Sequence, residues 1–152
     1  MSKVFRAENS LTHRHMTEFM GLDLEMAFNE HYHEVLELLG ELFVHIFDGL
    51  KTQYADEIAV VNRQYPFEEF KYLPKSLILQ FPEAIKLLRD NGVEVGDMED
   101  FNTEKERLLG KFVKEKYGTD FYILDKFPLE VRPFYTMPDP NMPVFTLGII
   151  LI

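Results

Sequence analysis

A stretch of helical periodicity between residues 30 and 62 constrains the fold more than any other feature of this sequence. Apolar residues recur there at three- and four-residue steps, at Val35, Leu38, Leu39, Leu42, Phe43, Ile46, Phe47 and Leu50. This spacing predicts a long amphipathic helix, with a break expected near Gly49. One face of that helix is therefore expected to lie against the core.

Shorter elements flank this helix. Residues 3–8 and 18–28 favour strands, and the polar segment between them is predicted to be a loop. Further strands are predicted over 76–81, 121–124 and 131–135, and further helices over 82–91 and from Asn102 or Thr103 to Gly118. The fold class is therefore α+β, an antiparallel sheet with flanking helices.

Composition limits the classes of function. The chain has 152 residues, 46% of them hydrophobic, which is enough for one domain with a core. Its net charge of −10 argues against non-specific nucleic-acid binding. The absence of cysteine excludes disulfides, thiolate zinc sites and cysteine nucleophiles. No apolar run is long enough to span a membrane, so we expect a cytoplasmic protein without membrane contact.

Most polar clusters have simple structural interpretations. In the segment HYHE at 31–34, helical spacing would point the two histidines in nearly opposite directions, which favours a surface or helix-start role over a metal site. His45 fits the edge of a helix core. The acidic residues at 68–69 and 97–100 fit solvated loops, and no glycine-rich phosphate loop or hydrolase motif is present.

The segment from Arg6 to Glu25 is more distinctive. Arg6 and Glu8 are two residues apart and so share one strand face, while Arg14 and His15 fall in the loop. These side chains could form a clamp for an anion and an amine, or an ordinary surface cluster of ion pairs. Residue types alone leave both interpretations open.

Three strings carry a resemblance to a known family. They are VFRAENSLTHRHMTEFMGLDLEMAF, HYHEVL, and LLGKFVKEKYGTDFYILDKFPLEVRPFYTMPDP. Together they resemble the catalytic domain of aspartyl-tRNA synthetases of the eukaryotic and archaeal type, over about residues 3–140. FRAE resembles motif 2 of class II synthetases, whereas THRHMTEF and GLDLEMAF match the aspartate enzymes better than the lysine or asparagine enzymes.

The resemblance implies an enzyme that joins aspartate and ATP into aspartyl adenylate and then transfers the aspartyl group to tRNA(Asp). It implies that Arg6 bridges the α-phosphate and the aspartate carboxylate, and that Ser10 meets the acceptor end of the tRNA. A guanidinium group suits such a bridge because it can hold two anions at once. ATP binding is implied for Arg6, Ala7, Glu8, Arg14, His15 and Met16.

The resemblance also implies that this chain lacks part of the family's catalytic domain. The resemblance ends after Pro140, so residues 1–140 are expected to be a partial catalytic domain and residues 141–152 a tail foreign to the family. In the family, the carboxylates that bind Mg²⁺ lie in the motif 3 region, so no metal site is predicted in this chain. The parent enzyme is expected to be a homodimer, and the chain an internal fragment that is inactive alone.

Several alternatives stay open at this stage. The chain could be a catalytically inactive binding module built on the synthetase scaffold, or a relative of the asparagine type. The sequence also departs from the family at Leu11, where relatives commonly carry asparagine. The apolar tail from Met142 to Ile152 is expected either to pair with an open sheet edge or to remain poorly ordered.

Overall fold

A computed structural model describes residues 1–7, 16–147 and 149–151, the last three by their backbone alone. The chain divides into two compact units, Met1–Glu30 and His31–Ile152. No helix among the described residues is long and apolar enough to cross a membrane.

The first unit is built on a β-hairpin. Strand β1 (Ser2–Phe5) pairs antiparallel with β2 (Glu18–Gly21). The antiparallel pairing agrees with the two predicted strands, although both are shorter than expected. Residues 22–28 form no strand despite their alternating pattern, and the apolar side chains of that pattern are exposed. A strand requires hydrogen bonds to a neighbour, and periodicity alone does not supply one.

The second unit begins with two helices, α1 (His33–Gln53) and α2 (Ala55–Gln64). They cover the stretch predicted as one helix, but the break lies at Tyr54 and not near Gly49. Tyr54 has φ −124° and ψ 27°, outside the α region, whereas Gly49 continues α1. Leu36 of α1 is fully buried and packs with Phe121 and Ile123 in the smaller of two hydrophobic clusters.

The remaining elements are β3 (Leu77–Gln80), α3 (Phe81–Asp90), α4 (Thr103–Tyr117), β4 (Tyr122–Asp125) and β5 (Ile149–Leu151). Asn102 caps α4, because its side chain accepts a hydrogen bond of 2.9 Å from the Lys105 N–H. Gly118 ends α4 as predicted, with a left-handed φ of 71° that favours glycine. Helices α3 and α4 pack on β3 and β4 to form the larger hydrophobic cluster.

The sheet of the second unit has the order β3-β4-β5 and is mixed. Strands β4 and β5 are antiparallel, but β3 and β4 are parallel, which corrects the expectation of antiparallel strands throughout. The connection between β3 and β4 contains both α3 and α4, and a long crossover of this kind is what parallel strands require. The tail thus contributes β5, one of the two outcomes expected for it.

The strand predicted over 131–135 is wrong. A short 3₁₀ turn occupies Leu129–Val131, and an irregular turn follows it. Pro128 and Pro133 flank this region, and neither can donate a backbone hydrogen bond to a neighbouring strand.

Candidate functional site

Arg6 lies directly after β1, where the two strands of the hairpin separate. Its backbone N–H donates a hydrogen bond of 3.0 Å to the Thr17 carbonyl, which continues the pairing by one step. Its guanidinium carbon lies 5.2 Å from the centre of the Phe19 ring, a cation–π contact. The side chain is exposed, so its donors remain accessible to an anion.

Three of the predicted ATP-binding residues, Arg6, Ala7 and Met16, lie in the described part of the hairpin. Ala7 follows Arg6 and is exposed, and Met16 lies on the other side of the loop with 59% of its surface exposed. Glu8, Ser10, Arg14 and His15 lie outside the described residues. The predicted roles of all these residues, and the shared face of Arg6 and Glu8, therefore stay predictions.

A buried polar cluster lies at the carboxyl end of β4 in the second unit. The Asp125 carboxylate is 1% exposed, and the single O–H of Tyr32 donates a bifurcated hydrogen bond to it, with the hydroxyl oxygen 2.9 and 2.8 Å from the two carboxylate oxygens. It also accepts the Lys126 N–H at 2.8 Å, and the His33 Nε2 lies 3.2 Å away. Burial, and then the hydrogen bond to Asp125, raise the pKa of Tyr32, so its hydroxyl stays protonated as a donor.

A second ion pair adjoins this cluster. Lys126 has a left-handed φ of 60°, and its ammonium group pairs with Asp139 in a buried contact. The Asp139 carboxylate also accepts the backbone N–H groups of Asn141 and Met142, at 2.7 and 3.1 Å. The Lys126 ammonium, followed by these N–H groups, holds the pKa of Asp139 below its usual range. The pair thereby joins the end of β4 to the segment that leads towards β5.

The cluster is suited to a structural role, since its polar groups bond to one another. Tyr32 and His33 begin α1, so Asp125 ties the start of that helix to the end of β4. Sequence reasoning missed this connection. The detectable signal was the polar pair Asp125–Lys126 directly after a strand of apolar residues, but its partners are about 90 positions away.

The two histidines of HYHE are closer together than helical spacing predicted. The ring centroids of His31 and His33 lie 4.2 Å apart, because His31 precedes α1 and does not follow the helical rotation. The His33 N–H donates to His31 Nδ1 at 3.3 Å. Among the described residues, no group of three or more histidine, aspartate or glutamate side chains could hold a metal ion.

A family model described as tRNA synthetases class II (D, K and N) matches residues 1–147. The cytoplasmic aspartate–tRNA ligase of Caenorhabditis elegans is 65% identical over 138 residues, which are 91% of this chain and 26% of that ligase. The chain spans about a quarter of the length of such relatives.

Solved structures give the same fold. An aspartyl-tRNA synthetase from Entamoeba histolytica superposes with a TM-score of 0.92 and 50% identity, over 98% of this chain and 30% of that one. An asparaginyl-tRNA synthetase from Pyrococcus horikoshii, complexed with asparaginyl-adenylate, has a TM-score of 0.79 and 25% identity. That comparison covers 99% of this chain and 33% of the other.

Proposed function

This chain belongs to the family of class II tRNA synthetases (D, K and N), and from that premise we propose that it is part of the catalytic domain of an aspartate–tRNA ligase. The ligase would activate aspartate with ATP and transfer the aspartyl group to tRNA(Asp). The observation that carries the proposal is the 65% identity to an aspartate–tRNA ligase over 138 residues. The relatives are named as cytoplasmic enzymes, and we propose the same location.

Arg6 is the residue that we place at the chemical step. Its position at the opening of the hairpin presents a planar, permanently charged group to solvent. Such a group can bind the α-phosphate and the aspartate carboxylate together, which brings the nucleophile towards phosphorus. It can also stabilise the negative charge that increases on the phosphoryl oxygens in the transition state. Phe19, beneath the guanidinium group, restricts its orientation.

Neighbouring residues in the sequence supply further proposed contacts. We propose that Ala7, Glu8, Arg14, His15 and Met16 complete the part of the ATP site on this chain, and that Ser10 contacts the acceptor end of the tRNA. We also propose residues 1–140 as the partial catalytic domain, residues 141–152 as the tail, and a homodimeric parent enzyme. No described carboxylate cluster fits Mg²⁺, so no step is assigned to a metal held by this chain.

An asparagine-specific ligase is the second candidate, since an asparaginyl-tRNA synthetase shares the fold. The aspartate proposal is favoured because identity is 50% to the aspartyl-tRNA synthetase structure and 25% to the asparaginyl-tRNA synthetase structure. A catalytically inactive module is the third candidate. An activity measurement distinguishes it from the aspartate–tRNA ligase.

The experiment that tests the proposal uses a chimera. Residues 3–140 replace the corresponding segment of the Caenorhabditis elegans ligase, and ATP–pyrophosphate exchange is measured with aspartate and with asparagine. We expect exchange that depends on aspartate. Exchange with asparagine alone would support the second candidate, and a correctly folded chimera without exchange would support the inactive module.

A further inference from the structure

An apolar cavity of about 280 Å³ lies between α1, α2 and the segment that follows α2, entirely within the second unit. Most of the described residues that line it are aliphatic or aromatic: Phe47, Leu50, Ile58, Phe67, Phe70 and Tyr72. The volume is nearly twice that of a cavity of about 150 Å³ that binds benzene in an engineered protein. It lies just below the range of about 300–1,000 Å³ that is typical of small-molecule pockets. The cavity therefore has room for a flat molecule of about two fused rings.

The segment that closes the cavity is held in place by contacts outside it. The Phe67 N–H donates a hydrogen bond of 2.9 Å to the side chain of Asn62 on α2, which fixes the beginning of the segment. The Lys71 N–H donates to the Asp120 carboxylate at 2.9 Å, which fixes its end. Because these contacts exist without a ligand, the site is already formed and little ordering is needed on binding.

Aromatic rings line one wall of the cavity. The centre of the Phe47 ring lies 4.9 Å from that of Phe70 and 5.1 Å from that of Tyr72. Phe67 also lines the cavity, but its ring has no ring partner among the described residues and it is 48% exposed. Contacts between aromatic rings stabilise beyond the area that they bury. The lining therefore favours an aromatic ligand over an aliphatic one, and Phe67 supplies a ring that is not yet paired.

The polar groups of the lining are satisfied within the protein. The Lys51 ammonium group pairs with the Glu69 carboxylate at 2.5 Å. The Tyr72 hydroxyl donates to the carboxylate of Asp48 on α1 at 2.6 Å. The lining thus attracts neither a cation nor an anion, and a charged group placed in it would lose hydration without gaining a partner of its own. An uncharged ligand therefore fits best.

We propose that this cavity binds a small uncharged aromatic compound of about two fused rings, of the size of indole. Its ring packs against the wall formed by Phe47 and Phe70 and pairs with the ring of Phe67. This proposal does not depend on the aspartate–tRNA ligase activity.

The test is a titration of the whole chain followed by saturation-transfer NMR of the ligand. Indole, tryptamine and indole-3-acetate share one ring system and carry no charge, a positive charge and a negative charge. We expect indole to bind with a Kd below about 1 mM, which is within reach of a ligand of this size. Neither charged compound should bind more tightly than indole.

A matched pair of variants locates the site. Leu50→Trp fills the cavity with an indole ring and should weaken indole binding at least about tenfold. Leu38→Trp makes the same change at another exposed leucine of α1 that does not line this cavity, and it should leave binding unchanged. The chain has no tryptophan of its own, so the fluorescence of each variant comes from the new ring, and Leu50→Trp should emit at the shorter wavelength.

Ile58→Phe fills the same cavity from α2 and serves as a second blocking variant. Circular dichroism confirms that each variant is folded.

Four results would overturn the proposal. Two are no binding of indole to the folded chain at millimolar concentration, and equal weakening by Leu50→Trp and Leu38→Trp. The third is tighter binding of tryptamine or indole-3-acetate than of indole, which would contradict an uncharged ligand. The fourth is a preference of at least about tenfold for N-acetyltryptophanamide over indole, which would assign the cavity to a tryptophan side chain of a protein partner.

Discussion

At the scale of single residues, two buried tyrosines illustrate what a hydroxyl group does in this core. The Tyr32 hydroxyl donates its one hydrogen to the buried Asp125 carboxylate and lies within hydrogen-bond distance of both oxygens. The Tyr122 hydroxyl is buried and has no hydrogen-bond partner among the described residues, and its burial raises its pKa. The same substitution should therefore have opposite effects at the two positions.

We predict that Tyr122→Phe raises the free energy of unfolding by about 1 kcal/mol, because it removes an unsatisfied polar group. Tyr32→Phe should lower it by about 1–3 kcal/mol, because it removes the O–H that the buried Asp125 carboxylate accepts. Urea denaturation of both variants beside the wild type measures the difference. A loss of stability in Tyr122→Phe would show that its hydroxyl does have a partner.

The ion pair of Lys126 and Asp139 predicts a dependence of stability on pH. The folded-state pKa of Asp139 lies below its usual value of 3.8, so the pair stabilises the fold fully above that value. The contribution is lost as the pH falls from 3.8 through the lower folded-state pKa. Asp139→Asn should therefore be less stable than the wild type at pH 7, and this deficit should shrink as the pH falls below 3.8.

Denaturation at pH 7 and at low pH measures this effect. Asp90→Asn is the matched control, since Asp90 pairs with Lys86 at the exposed surface and should change stability little. A deficit for Asp139→Asn that is the same at both pH values would contradict the linkage.

At the scale of elements, the sequence predicts helices better than it predicts the pairing of distant strands. Helix periodicity and the glycine at 118 indicated α1 and α4 because both signals are local. The parallel pairing of β3 with β4 was not predictable, since alternation within a strand says nothing about the direction of its neighbour. In the candidate site, the hairpin that bears Arg6 was predicted, whereas the Tyr32–Asp125 contact was not.

Strand β5 is expected to stabilise the sheet of the second unit. It pairs antiparallel with β4, whose four residues are all buried, so it covers one edge of a buried strand. We predict that deletion of residues 148–152 lowers the thermal unfolding temperature and the soluble yield, because the edge of β4 is then open to intermolecular pairing. A higher soluble yield after the deletion would instead identify the tail as foreign to the fold and a cause of aggregation.

At the scale of the whole molecule, the chain corresponds to about a quarter of the length of its relatives. Adenylation requires several charged groups to hold both substrates in one geometry, and each charged contact contributes about 1.5–3 kcal/mol. We therefore predict that the isolated 152-residue chain shows no aspartate-dependent pyrophosphate exchange. Purified chain with robust exchange would refute the interpretation as a partial catalytic domain.

We propose that Arg6, at the opening of the hairpin, acts directly in adenylation. Aspartate-dependent pyrophosphate exchange by the chimera, compared between Arg6→Ala and Arg63→Ala, tests this role. Arg63 lies on α2, is exposed, and serves as the control for loss of an arginine. We predict that Arg6→Ala lowers the exchange rate by about 100- to 1,000-fold, as loss of a transition-state contact does, and that Arg63→Ala retains it. Near-normal exchange by a folded Arg6→Ala chimera would contradict the account.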